Sequence, residues 1–289
     1  MKATNQKIAG FTLTELLVVI AAVAVLAATL LPALAATKLK ELSTQCMDNL
    51  RQLTAAATVY QTENKNIPYA SVSGIWFAPL SASQNSGAIH LLCPLASAPY
   101  QTNAYNQGTA NRAWTWNVLS DPNNPASSIV VTNVSYGLNG WLYGYNPLSM
   151  FWINQSDAPN FFGSIAAVTH PSLTPMYVDA LWPDLWPYQD GLSDAVNSRN
   201  YDLYNDFGKA NFGGGPSNPY QGIGRCLIAR HGICPPATAP MPESSLILPW
   251  PDVGVNISLA DGHVEYSSAQ HLFEYYWNRY AVPKPFPNH

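Results

Sequence analysis

Residues 16–37 read LLVVIAAVAVLAATLLPALAAT, a run of 22 positions without one charged side chain. As a helix rising about 1.5 Å per residue it spans about 33 Å, enough to cross a hydrocarbon core of about 30 Å. Lys2 and Lys7 precede the run, so the positive-inside rule keeps the N-terminus cytoplasmic and sends the rest of the chain across. Any fold must therefore let residues 38–289 close on themselves beyond an apolar stem.

Three readings fit the run. A plain single-pass anchor is the simplest. A secretory signal cleaved after Ala35 also fits, with a basic start and small residues at Ala33–Ala35, but the apolar stretch exceeds the usual 7–15 residues. Neither explains Glu15, the one charge between Lys7 and Lys38. A carboxylate at the edge of a bilayer core costs about 2.5–3.5 kcal/mol on insertion scales. The third reading takes the order KIAGFTLTELLVVI as a unit: a short basic leader ending in Gly10, then Phe11, then Glu15, then the apolar run. This resembles the prepilin leader of type IV pilins and type II secretion pseudopilins.

The resemblance implies cleavage by a prepilin peptidase after Gly10 and N-methylation of the new terminus, Phe11. It implies assembly through the N-terminal helix, where Glu15 meets the amino terminus of a neighbouring subunit. Such an ion pair in low dielectric offsets part of the desolvation cost and fixes subunit register. The implied partners are copies of the chain and other pilin-like subunits, the peptidase, a pilus or secretion assembly platform and the membrane. The implied location is the inner (cytoplasmic) membrane, with the head in the periplasm or on the cell surface in a filament.

Beyond the run, Leu39, Leu42, Cys46, Leu50, Leu53, Ala57 and Tyr60 recur at spacings of three and four, one face of an amphipathic helix. Pro32 is expected to kink or loosen the helix. The expected fold is α+β and pilin-like: a long N-terminal helix, transmembrane in its first half, packed on a loop-rich antiparallel β head. The expected divisions are 1–10 leader, 11–37 transmembrane or filament-core helix, 38–64 amphipathic continuation and 65–289 globular head.

In the head the helical period gives way to short apolar and aromatic runs between turn formers, including SIVVTNVSYGLNGWLYGY, PMYVDALW and VNISLADGHVEYSS. These read as strands. Asp261-Gly262 between two alternating runs predicts a hairpin with a two-residue turn in which both central residues take positive φ. A second resemblance lies here. Pilin-like proteins of planctomycetes and verrucomicrobia share a His followed by an Asp-Gly-His-Val-type hairpin, which ARHG (229–232) and NISLADGHVE (256–265) resemble. CPLA at Cys93, SYGLNGW at Ser135 and HLFEYYW at His271 resemble that group too. That family places nine residues between its His and the Asp-Gly; here 29 separate His231 from Asp261, so a contact between them does not follow from spacing. His231 and His263 with Asp261 are candidate metal ligands, with structural histidines the simpler reading.

Only 10% of residues are charged and the net charge is −4 without a basic cluster, which argues against a nucleic-acid partner. The acidic, Asn-rich stretch 190–208 offers oxygen ligands suited to calcium, with Asp190, Asp194, Asp202 and Asp206 as candidates, although no EF-hand spacing occurs. No other cofactor is expected. Trp182, Trp186 and Tyr188 fit either a stacking platform for glycans, which would make the chain an adhesin on a pilin stem, or the core of the head. No GxGxxG, Walker loop, GxSxG or HExxH occurs, so no enzyme is expected. The four cysteines, Cys46, Cys93, Cys226 and Cys234, form no CxxC pair and match no zinc spacing. Three full disulfide pairings exist and the sequence selects none.

Overall fold

The computed structural model describes residues 12–69, 75–77, 79–80, 90–96, 108–119, 124, 129–150, 153, 155–187, 223–226, 228–232 and 253–283. Two compact units divide the chain, Met1–Glu41 and Leu42–His289. Helix α1 spans Leu13–Asn64, 52 residues, and continues through Pro32. It ends where Lys65 takes φ +68°, a left-handed residue of the kind that terminates helices.

In the first unit the apolar side chains face outward: Leu16, Leu26 and Leu31 are 51%, 62% and 66% exposed. The most apolar 18-residue window of the helix has a mean hydropathy of 2.7 and nothing buried. A stripe this continuous is stable only where something other than water covers it.

In the second unit the helix period resolves into one buried face. Cys46, Leu50, Leu53 and Ala57 are sealed from solvent, as the spacing predicts. They pack on a mixed sheet of six strands. Strands β4 (Tyr136–Asn139), β6 (Pro175–Asp179), β7 (Asp184–Leu185), β9 (Val253–Leu259) and β10 (Val264–Ser268) lie in the order β10-β9-β6-β4-β7. Strand β8 (His231–Gly232) pairs antiparallel with the start of β9, His231 opposite Gly254. Since β10 occupies one side of β9 from Gly254 to Ser258, β8 lies on the other side, beyond the end of β6.

Smaller sheets flank this one. Strands β2 (Trp114–Leu119) and β3 (Ile129–Val134) pair antiparallel, and β1 (Ile67–Pro68) pairs with β5 (Tyr143–Gly144). The head is loop-rich and mostly antiparallel, as expected of the α+β fold, with short parallel pairs at β1–β5 and β4–β7. These parallel pairs are only two residues long, so they add little to the sheet's stability.

The pleat of the central strands sorts residues by chemistry. On β9, Val253, Val255, Ile257 and Leu259 enter one apolar cluster with Val178, Leu272, Phe273 and Trp277. The alternate residues Asn256 and Ser258 face α1, where Thr54 donates to Ser258 Oγ at 2.7 Å and Asn256 Nδ2 to Ser43 O at 3.2 Å. Tyr136, Leu138 and Tyr177 join α1 in a second cluster with Trp114 and Trp141. A helix thus lies on a sheet face that is half apolar and half polar, and each polar group there needs a partner.

The β9–β10 turn differs from the two-residue expectation. Gly262 N–H donates to Leu259 O and Leu259 N–H to His263 O, both at 2.9 Å, leaving three residues in the loop. Gly262 alone has positive φ, +96°. This is a type I turn closed by a left-handed glycine, so Asp261 needs no strained backbone. Its carboxylate instead accepts the His263 N–H at 3.1 Å.

Candidate functional site

Among the described residues, two places carry unusual chemistry. The first is the start of α1. Thr12 precedes the first helical residue, and Glu15 N–H donates to Thr12 Oγ1 at 3.3 Å. The Glu15 carboxylate reaches back to accept from Thr12 N–H at 2.9 Å and from the Thr12 hydroxyl at 2.7 Å. This is a reciprocal capping box, Thr-Leu-Thr-Glu, which satisfies two backbone donors that a helix otherwise leaves open. The motif was legible in the sequence but hidden behind the intermolecular role assigned to Glu15. Gly10 and Phe11 lie outside the described residues.

The second place is a closed polar cluster beneath α1. Cys46 comes from the helix, Cys93 from the segment 90–96, Asp179 from the end of β6 and His231 from β8. One ligand-type atom from each lies within 4.8 Å of every other, and all four residues are buried. His231 Nε2 is 2.9 Å from Asp179 Oδ2, 3.5 Å from Cys93 Sγ and 3.2 Å from Asn256 Nδ2. Cys46 Sγ lies 3.5 Å from Asp179 Oδ2 and receives the Tyr136 hydroxyl at 3.4 Å.

Arg230, next to His231, is fully buried and pairs with Asp179 Oδ1 at 3.0 Å. Its other donors go to the carbonyls of Ser135 (2.7 Å), Thr109 (2.9 Å) and Ala110 (3.0 Å). The Asn256 N–H completes Asp179 at 3.0 Å, and the Cys93 N–H is held by Ser135 Oγ at 2.5 Å.

The electrostatics follow from burial and pairing. Burial alone would raise the Asp179 carboxyl, but the His231 and Arg230 charges outweigh it and hold it near about 2. Burial alone would strip His231 of its proton, but Asp179 outweighs that and lifts it to about 9. Burial raises the Cys46 thiol. At Cys93 burial acts the same way, yet hydrogen bonds from Cys46 and His231 bring the thiol down to about 6. The cluster therefore favours charged forms at Asp179, His231 and Cys93 despite its depth.

The other sequence candidates fall elsewhere. His263 Nδ1 pairs with Asp261 Oδ1 at 2.7 Å on an exposed turn, so His231 and His263 do not share a site. His231 does reach the hairpin, through β9 rather than through Asp261. Trp186 is a core residue, packed edge-on against Trp141 at 5.3 Å, which removes it from a glycan platform. Trp182 is half-buried, edge-on to Trp116 at 5.4 Å and 6.0 Å from the Arg225 guanidinium. Asp190, Asp194, Asp202, Asp206, Tyr188 and Cys234 lie outside the described residues. Cys226 is buried, and its thiol donates to Ile223 O at 3.2 Å.

A family model described as the prokaryotic N-terminal methylation motif matches residues 5–31. The chain is type IV prepilin-like at its N-terminus. The match covers the end of the leader, Glu15 and most of the exposed apolar part of α1. This prepilin-like segment and its single apolar helix fit anchoring in a membrane. No curated protein and no solved structure matches the chain, so the head is read from its own geometry.

Proposed function

We propose that the chain is a structural subunit of a type IV pilus or a type II secretion pseudopilus. The observation that carries this reading is the methylation motif at residues 5–31 placed on a helix whose apolar half is exposed. On this reading a prepilin peptidase cuts after Gly10 and the new Phe11 amine is methylated. The stem waits in the inner membrane with the head outside the cytoplasm, then leaves the bilayer to enter a bundle of equivalent stems. Contacts of this kind between unlike faces do not close on themselves, so they propagate as a filament.

Glu15 carries the register. Its carboxylate already caps its own helix, one residue after the position where the processed chain would begin, so it is fixed in place before any neighbour arrives. A neighbouring amino terminus then meets an ordered acceptor and not a mobile side chain, which lowers the entropy lost on assembly.

Intact-mass and N-terminal peptide analysis of the protein from its native membrane tests the reading. A chain starting at N-methylated Phe11 supports it. A soluble product starting at Ala36 overturns it in favour of a secreted protein.

A further inference from the structure

We propose that Cys46, Cys93, Asp179 and His231 form a buried, four-coordinate zinc site that ties the lower half of α1 to three separate parts of the head. The donor set is the first argument. Two sulfurs, one imidazole nitrogen and one carboxylate oxygen are ligands that zinc accepts, and four protein ligands with no open position describe a structural site and not a catalytic one.

Geometry is the second. Zinc bonds of about 2.0–2.3 Å in a tetrahedron place neighbouring ligand atoms about 3.3–3.8 Å apart. Here Cys93 Sγ to His231 Nε2 and Cys46 Sγ to Asp179 Oδ2 are both 3.5 Å. The His231–Asp179 edge is shorter, at 2.9 Å, and no edge exceeds 4.8 Å. An ion at the centre requires that edge to open by a few tenths of an ångström and any edge longer than about 3.8 Å to close.

The surroundings are the third. Ligating groups in metal sites are oriented by outer partners; among the described residues Asp179, Cys46 and Cys93 have them, while His231 Nδ1 has none. Arg230 holds Asp179 Oδ1, leaving Oδ2 directed at the cluster. Tyr136 donates to Cys46 Sγ, and Ser135 fixes the Cys93 backbone. Three polar groups crowd the single Nε2 of His231, which has one lone pair or one proton to offer. A cation accepts that lone pair and the sulfurs together. Charge also balances: two thiolates and Asp179 carry three negative charges, and a divalent ion with Arg230 carries three positive, so the buried cluster is neutral. On binding, any protons on the two sulfurs and on His231 Nε2 leave to solvent.

A disulfide between Cys46 and Cys93 is the competing use of the same sulfurs, but it employs only two of the four converging donors. The inference is independent of filament assembly, since all four ligands lie in the unit Leu42–His289.

The test uses the full chain, purified in detergent without chelator or histidine tag. Elemental analysis is expected to find one zinc per chain, with Cys46 and Cys93 unreactive to thiol reagents until the metal is removed. Cobalt(II) added to the metal-stripped wild-type protein is expected to give the intense thiolate charge-transfer and tetrahedral d–d bands of a two-sulfur site. Cys93→Ser and His231→Asn should lose the metal, and His263→Asn, on the exposed turn, should keep it. Because the first two substitutions also threaten folding, the wild-type cobalt spectrum decides. Metal-free protein with two free thiols and no cobalt bands overturns the proposal, and so does a Cys46–Cys93 disulfide found by peptide mapping.

Discussion

Thr12 and Glu15 cap one helix from opposite directions: the threonine hydroxyl takes the Glu15 N–H, and the glutamate takes both the Thr12 N–H and its hydroxyl. A charge at the edge of an apolar stem therefore has a local partner before any second subunit is considered. The two roles separate by chemistry, because a glutamine can complete a capping box but carries no charge.

Glu15→Gln should keep the first turn of α1 ordered and lose filament formation, whereas Glu15→Ala should lose both. Amide exchange at Thr12–Glu15 reads the cap, and electron microscopy of sheared cells reads the filaments. Normal filaments from Glu15→Gln would show that capping, not charge pairing, is why the residue is there.

Arg230→Met should destabilise the head by about 3–5 kcal/mol, because it removes one of the two cationic partners of the buried Asp179 and strands carbonyls at Ser135, Thr109 and Ala110. Arg230→Lys should recover little of this, since an ammonium cannot reach a carboxylate and three carbonyls in one planar fork. Urea unfolding of the detergent-solubilised chain, followed by tryptophan fluorescence, should show a lowered midpoint at unchanged slope.

Two glycines should fail for different reasons. A methyl at Gly254 would lie 2.0 Å from Ser267 O, against the backbone of β10 and beside the pairing with His231. Gly254→Ala should cost about 1–3 kcal/mol by forcing strands apart. At Gly262 nothing lies within 4 Å, but φ is +96°, so Gly262→Ala should cost about 1–2 kcal/mol through backbone strain alone. Exchange protection lost across β9–β10 in the first variant, and confined to the turn in the second, would separate the two.

Leu53→Ala should lower the stability of the head by about 2–5 kcal/mol, since Leu53 is sealed in the core. Leu26→Ala, on the same helix but 62% exposed, should leave head stability within about 0.5 kcal/mol. Thermal melts of the two variants in detergent measure the contrast. Equal losses would contradict the division of α1 into an uncovered and a packed half.

Much of this architecture was written in local patterns. The period of three and four from Leu39 to Tyr60 marked the packed face of α1, and the alternation on both sides of Asp261-Gly262 marked β9 and β10. The turn type was misjudged because Asp-Gly suits both a two-residue turn and a three-residue loop, and only the strand register distinguishes them. The buried cluster was illegible for a different reason. Cys46, Cys93, Asp179 and His231 share no spacing, and they converge only once β6, β8 and β9 are placed side by side under the helix. A faint signal existed in Cys46, a thiol on a face otherwise made of leucine, alanine and tyrosine. Arg230 beside His231 was another, a charge set in an apolar stretch.

The pairing of β8 with the start of β9 fixes His231 beside the hairpin strand independently of the length of chain between them. Gly232 lies opposite Val253 and His231 opposite Gly254, so the chain leaves the sheet and returns to it at adjacent points, whatever its length between them. Closing a longer loop between fixed ends costs only about 0.6 kcal/mol per doubling. The interval between His231 and Asp261 is thus free to drift in length while both ends keep their places in the sheet.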